Sequence, residues 1–206
     1  MTDYFALLDE PRRPWLDPEA LKTRFLKLTA QVHPDRVHTA SESDKGTAHQ
    51  RFAELNAAYN CLRQPKERLL HLLELERGRK PDGVQKIASA TMDLFIEISR
   101  HCREADVFLA SRANATSPLL KVQLFERGMA LTEKLNALLQ PLNVRREALI
   151  GQMQNLNMAW ESAPKVGTPT RVNVLPCSRL EHICREFSFL TRWSEQIRER
   201  VVQLSF

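Results

Sequence analysis

Apolar residues recur at helical spacing along almost the whole chain. Leu21, Phe25, Leu28 and Val32 follow at intervals of four, three and four, which is one face of an α-helix. Asp17 is the expected N-cap, with Pro18 at the first helical position and Glu19 after it. The helix is expected to stop at His33-Pro34, because the residue before proline is pushed out of the helical region. A polar loop over residues 33–44 then leads to Ala48, Phe52, Leu55, Tyr59 and Leu62, a second stripe that ends before Gln64-Pro65. Two amphipathic helices joined by a polar loop predict an antiparallel hairpin. A short helix at residues 3–8, closed off by Pro11 and Pro14, is expected to precede it.

Four leucines, Leu69, Leu70, Leu72 and Leu73, run up to the best boundary signal, where Gly78, Pro81 and Gly83 fall among charges. Beyond it Phe95, Ile98, Cys102, Ala105 and Leu109 predict a helix over 91–109. Ser117-Pro118 reads as the cap and start of the next helix. Its stripe is Leu131, Leu135, Leu138, Leu142, Leu149 and Leu156, and it keeps register across Pro141. An interior proline costs about 3 kcal/mol, so either a kinked helix or two nearly collinear ones is expected. Residues 162–176 read as a loop. Ser178 with Glu181 forms a capping-box pattern ahead of Leu180, Ile183, Phe187, Leu190, Ile197, Val201 and Leu204, with Ser194 the one polar member of that stripe. The expected fold is all-α: a helical hairpin with short helices over 1–76, a linker at 77–88, and a three-helix bundle over 89–206.

Composition narrows the function. Only 6 glycines occur, and neither a GxGxxG nor a GxxxxGK phosphate loop is present. Cys61, Cys102, Cys177 and Cys184 form no CxxC pair, so neither a disulfide scaffold nor structural zinc is expected. His182 and Cys184 stand two apart on a helix, about 200° around it, and cannot chelate together. No metal and no cofactor are therefore expected. No catalytic Ser/His/Asp or Cys/His spacing appears either, and a binding protein rather than an enzyme is expected. No run of 18 apolar residues exists, and the acidic start (Asp3, Asp9, Glu10) suits neither a secretory signal nor a transit peptide. The expected setting is a reducing cytoplasm with free thiols and no membrane contact.

The net charge of +5 comes from 30 basic against 25 acidic residues. Basic residues are not interleaved with aromatics, so no nucleic-acid partner is expected. Residues 1–75 hold 11 basic and 11 acidic residues, yet Ala20 to Pro34 has Lys22, Arg24 and Lys27 and no acid. Charge is segregated onto one helix, beside the rigid tripeptide His33-Pro34-Asp35. A positive helix face next to a proline loop suits docking on an acidic protein surface.

These residues resemble the J-domain family. The resemblance rests on Asp3-Tyr4-Phe5-Ala6-Leu7-Leu8, on Leu21 to Val32, and on the signature loop His33-Pro34-Asp35-Arg36. Phe52, Leu55, Asn56, Ala58, Tyr59, Leu62, Pro65 and Arg68 match the third helix and its exit. The resemblance implies a DnaK- or HscA-type ATPase chaperone as partner. His33, Pro34 and Asp35 would contact it, with Lys22, Arg24, Lys27 and Arg36 as the electropositive face. A J domain does no chemistry itself but biases a two-state partner.

The two-part layout, the leucine-rich exit after Arg68 and Phe187-Ser188-Phe189-Leu190 are similar to the HscB-type J proteins of iron–sulfur cluster assembly. That similarity implies an IscU-type scaffold as client, bound by Met92, Ile96, Glu97, Glu104 and Phe189. Helical projection puts Met92, Ile96 and Phe189 away from their core stripes, as partner contacts or as residues flanking the core. Arg100 stands where that family has a further acid, with His101 and Arg103 beside it. Such a reversal can change the partner, so a J protein serving a different client is the alternative.

Overall fold

The computed structural model describes residues 1–32, 41–79, 89–113 and 118–205. Their regular structure is entirely α-helical: α1 (Tyr4–Leu7), α2 (Pro18–Gln31), α3 (Glu42–Leu62), α4 (Pro65–Arg77), α5 (Ser89–Arg112), α6 (Pro118–Glu161), α7 (Arg171–Val174) and α8 (Cys177–Leu204). Two compact units form. One is Met1–Gly83 with Ile150–Cys184, the other Val84–Leu149 with Arg185–Phe206, so α6 and α8 supply residues to both. Packing thus groups residues 150–184 with the N-terminal segment, across the linear division expected at 77–88. Residues 80–88 of that linker lie outside the described residues.

In the first unit, local signals place the helices as expected. Asp17 caps α2 by accepting from the Ala20 amide at 2.8 Å, and Pro18 opens it. The Phe25 and Tyr59 rings stack at 4.2 Å, which joins α2 to α3. Leu21, Leu55, Ala58 and Leu62 are buried beside Phe5 and Leu8. α3 begins earlier than the loop reading of 33–44 allowed. Ser41 accepts from the Asp44 amide, a local cap the apolar stripe does not reveal. The leucine run after Pro65 is itself a helix, α4, burying Leu69, Leu72 and Leu73. It ends at Gly78, whose φ of 71° only glycine adopts freely.

The segment 150–184 is held here by polar contacts. The main chain of Trp15 exchanges two hydrogen bonds with the Asn157 amide, at 2.9 and 3.0 Å. Arg171 grips Glu76 through two bonds of 2.9 Å and donates to the Pro164 carbonyl. Arg77 pairs with Glu181 at 3.0 Å. The expectation of a plain loop over 162–176 is corrected. Residues 171–174 form α7, because burying Arg171 against Glu76 fixes that stretch. The Ser178 capping box is also corrected. α8 starts at Cys177, so Ser178 lies inside the helix, and Glu181 is drawn to Arg77.

In the second unit most positions of the stripes read from the sequence are buried, while Phe95, Leu109 and Val201 are half-buried. Leu131, Leu135, Leu138 and Leu142 of α6 pack with Ile98, Cys102 and Ala105 of α5 and Phe187, Leu190 and Ile197 of α8 in one core. Ser194, the polar member, donates to the Leu190 carbonyl at 2.8 Å and so leaves no orphaned hydroxyl in the core. α6 is one continuous helix with Pro141 inside it, which resolves the kink-or-break alternative as to continuity. Phe108 was not in the expected α5 stripe, yet it is fully buried, with its ring 3.4 Å from the position a Cβ on Gly128 would take. Glu186 is buried between Thr91 (3.2 Å) and Arg145 (3.5 Å).

Candidate functional site

The first candidate face is α2. Lys22, Arg24 and Lys27 are all solvent-exposed, as their helical positions require. Lys27 and Arg24 line a shallow depression with Asp9, Ala20, Thr23, Leu28 and Gln31. Leu26 adds an exposed apolar side chain to the same helix. The signature residues His33, Pro34, Asp35 and Arg36 lie outside the described residues.

Arg24 differs from the two lysines. Its Nε reaches Glu10 Oε1 at 3.1 Å, and its Nη1 donates to the Asp9 carbonyl. The Glu10 side chain is only 7% exposed, so this pair is a tie within the fold. The tie ends on the exit of α1. There the Glu10 amide donates to the Phe5 carbonyl at 2.9 Å and the Asp9 amide to the Ala6 carbonyl at 3.2 Å. That is a Schellman turn with Asp9 at φ 52°, the left-handed position usually held by glycine. Sequence reasoning placed Arg24 on the cationic face but did not find Asp9 and Glu10 as its partners. No local spacing signals a bond between residues fourteen or fifteen apart.

Two residues of α4 lock this framework. Arg68 is buried, with Nε donating to the Pro14 carbonyl at 2.9 Å and Nη1 to the Leu62 carbonyl at 2.6 Å. It therefore joins the α1–α2 connection to the C-terminal end of α3, where unpaired carbonyls favour a cation. Burial lowers its pKa to about 10, and the Cys61 thiol opposes this. Cys61 is pushed up to about 11 by burial, with Glu67 adding to the shift, so its thiol stays protonated. His71 is buried against α1, with its Nε2 accepting from the Tyr4 amide at 3.1 Å.

The second candidate face is on α5 and α8, within the second unit. Met92, Ile96, Glu97 and Arg100 are exposed, and Ile96 has 57% of its surface in solvent. Phe189 is half-buried, and its ring stacks on Trp193 at 5.6 Å, which in turn meets Phe95 at 5.7 Å. This chain of rings brings Phe189 to the α5 side of α8, next to the helix that carries Ile96. Glu104 stands between His101 Nδ1 (3.4 Å) and Lys134 Nζ (3.6 Å), so its charge is offset. Arg100 Nη2 lies 3.1 Å from His101 Nε2. Among the described residues no group of three or more His, Cys, Asp or Glu is placed to hold a metal ion. No helix among them is long and apolar enough to cross a membrane.

Comparison with known proteins fits the two units unequally. Residues 3–71 match the DnaJ domain family model. Over nearly the whole length the fold is similar to two solved structures. Chaperone HscB from Vibrio cholerae is 22% identical with a TM-score of 0.57, covering 98% of this chain and 99% of that one. Human co-chaperone protein HscB is 20% identical with a TM-score of 0.60, covering 97% of this chain and 82% of that one. The chain thus has an N-terminal J domain and an all-α fold resembling HscB.

Proposed function

We propose that this chain is a co-chaperone that docks on a DnaK- or HscA-type chaperone, stimulates its ATPase and delivers an IscU-type iron–sulfur scaffold for cluster assembly or transfer. The observation that carries the reading is the J-domain match over residues 3–71 coinciding with an exposed cationic α2. Lys22 and Lys27 steer the chaperone onto α2, while His33, Pro34, Asp35 and Arg36 make the contact that biases it toward hydrolysis. The chain supplies binding energy and no chemistry, working in a reducing cytoplasm. The client is held on Met92, Ile96, Glu97, Arg100, Glu104 and Phe189.

His33→Gln should abolish stimulation of the chaperone ATPase, and unchanged stimulation sinks the docking reading. The client reading is tested by capture of a purified iron–sulfur scaffold by wild type, Phe189→Ala and Ile96→Ala. Phe189 also packs on Trp193, so the exposed Ile96 is the cleaner probe. Failure of the wild type to bind the scaffold rejects it. A specific observation favours a second reading, a different client. Arg100 is exposed and held by His101 on this face, which suits a partner bearing a carboxylate there.

A further inference from the structure

We propose that His71 is a proton-gated positioning residue, a latch that seats α1 and through it the chaperone-docking helix α2. The inference rests on the docking role of α2 given above.

α1 is only four residues long, too short to persist without tertiary contacts. Its first-turn amides have no helical partners and must be satisfied from outside. Asp3 accepts two of them, from Phe5 at 3.0 Å and Ala6 at 3.2 Å. His71 Nε2 accepts the remaining one, from Tyr4. The imidazole is clasped by both neighbouring rings, with centroids 4.6 Å from Tyr4 and 6.0 Å from Phe5. An acceptor Nε2 demands the neutral ring with its proton on Nδ1. Protonation would turn Nε2 into a donor facing another donor, which removes the bond and sets N–H against N–H.

The other end of α1 carries the consequence to the docking face. Asp9 and Glu10, in the turn that closes α1, hold Arg24 of α2. Loosening α1 at Tyr4 therefore loosens the anchor of Arg24. Three charged groups act on the ring. Asp3 and Glu74 favour the charged form, Arg12 opposes it, and Arg12 is itself paired to Asp3 at 2.9 Å. Burial outweighs them and lowers the His71 pKa below its ordinary value of 6.5. The unfolded chain thus takes up the proton first. Stability from this site is present above pH 6.5 and drains away as pH falls from 6.5 toward the lowered value.

The test uses the full chain in three forms, wild type, His71→Gln and His71→Phe, each compared with itself at about pH 7.5 and about pH 5.5. Gln places an amide oxygen where Nε2 stood and does not titrate. Phe keeps the stacking but cannot accept. Amide hydrogen exchange at Tyr4 to Leu8, corrected for intrinsic pH dependence, should rise about tenfold on acidification in wild type only. In His71→Phe it should be high at both pH values. Docking to the chaperone should fall with pH more steeply in wild type than in His71→Gln. Equal pH ratios of exchange in wild type and His71→Gln overturn the latch. A wild type that docks on no chaperone at pH 7.5 instead rejects the proposed function, and the latch is then judged on exchange alone.

Discussion

Replacing Glu76 by Gln should be among the most damaging conservative changes in this chain. The Glu76 side chain is 3% exposed and that of Arg171 8%, and the two meet through a fork of 2.9 Å bonds. Glu76→Gln keeps shape and volume. It removes the carboxylate that faces Arg171 on that fork, and the amide nitrogen can present only another donor. The Gln oxygen can still accept one fork bond and the Pro164 carbonyl another, but neutral acceptors do not compensate a buried cation. Breaking one side of a buried pair costs about 3–5 kcal/mol. For a chain of 206 residues that is a fall in Tm of roughly 6–20 °C. Urea denaturation of Glu76→Gln measures it, with Glu76→Leu, Arg171→Met and the double variant Glu76→Leu/Arg171→Met as a closed cycle. The double variant should be far more stable than the sum of the singles, because it buries no charge. Arg51–Glu54, a surface pair at 3.6 Å with both side chains about two-fifths exposed, is the control and should cost less than about 1 kcal/mol on Arg51→Ala. A Glu76→Gln loss as small as the control's would refute the reasoning.

Arg68→Lys should cost about 1–3 kcal/mol in urea denaturation, because one ammonium cannot span both the Pro14 and Leu62 carbonyls. Lys27→Ala should weaken chaperone docking about two- to fivefold with no change in Tm. Arg24→Ala should lower both docking and Tm, since it strands Glu10, and titration calorimetry beside thermal melts separates the two effects. Gly151→Ala should raise stability by about 0.5–1 kcal/mol in chemical denaturation. The site lies inside α6, and an added Cβ there meets nothing within 4 Å.

The helices were legible because their causes are local. The leucine and isoleucine stripes of α6 and α8 and the Asp17-Pro18 start of α2 each depend on residues within one or two turns, and each stands where the sequence put it. Apart from the early start of α3, which a local Ser41 cap sets, the misreadings share one cause. α7 is helical because Arg171 meets Glu76, ninety-five residues away. The Ser178 box is not used, and its Glu181 goes to Arg77. The candidate site divides in the same way. Exposure of Lys22, Lys27, Met92 and Ile96 follows from helical phase alone. That Arg24 is tied down and that Arg100 leans on His101 does not.

By itself the sequence determined the all-α class, the amphipathic faces, the cationic α2 and the resemblance of residues 1–75 to a J domain. These follow from periodicity and short motifs, where every interacting residue is a near neighbour in the chain. Only the tertiary structure decided that residues 150–184 pack with the N-terminal segment, that Arg68 and Arg171 are buried clamps, and that His71 seats α1. The two clamps and the His71 seat rest on polar partners whose identity is fixed by desolvation, and the packing of 150–184 rests also on buried apolar side chains such as Met153, Trp160 and Ile183. A buried charge or orphan amide must find a mate somewhere in the fold, and sequence spacing does not say where.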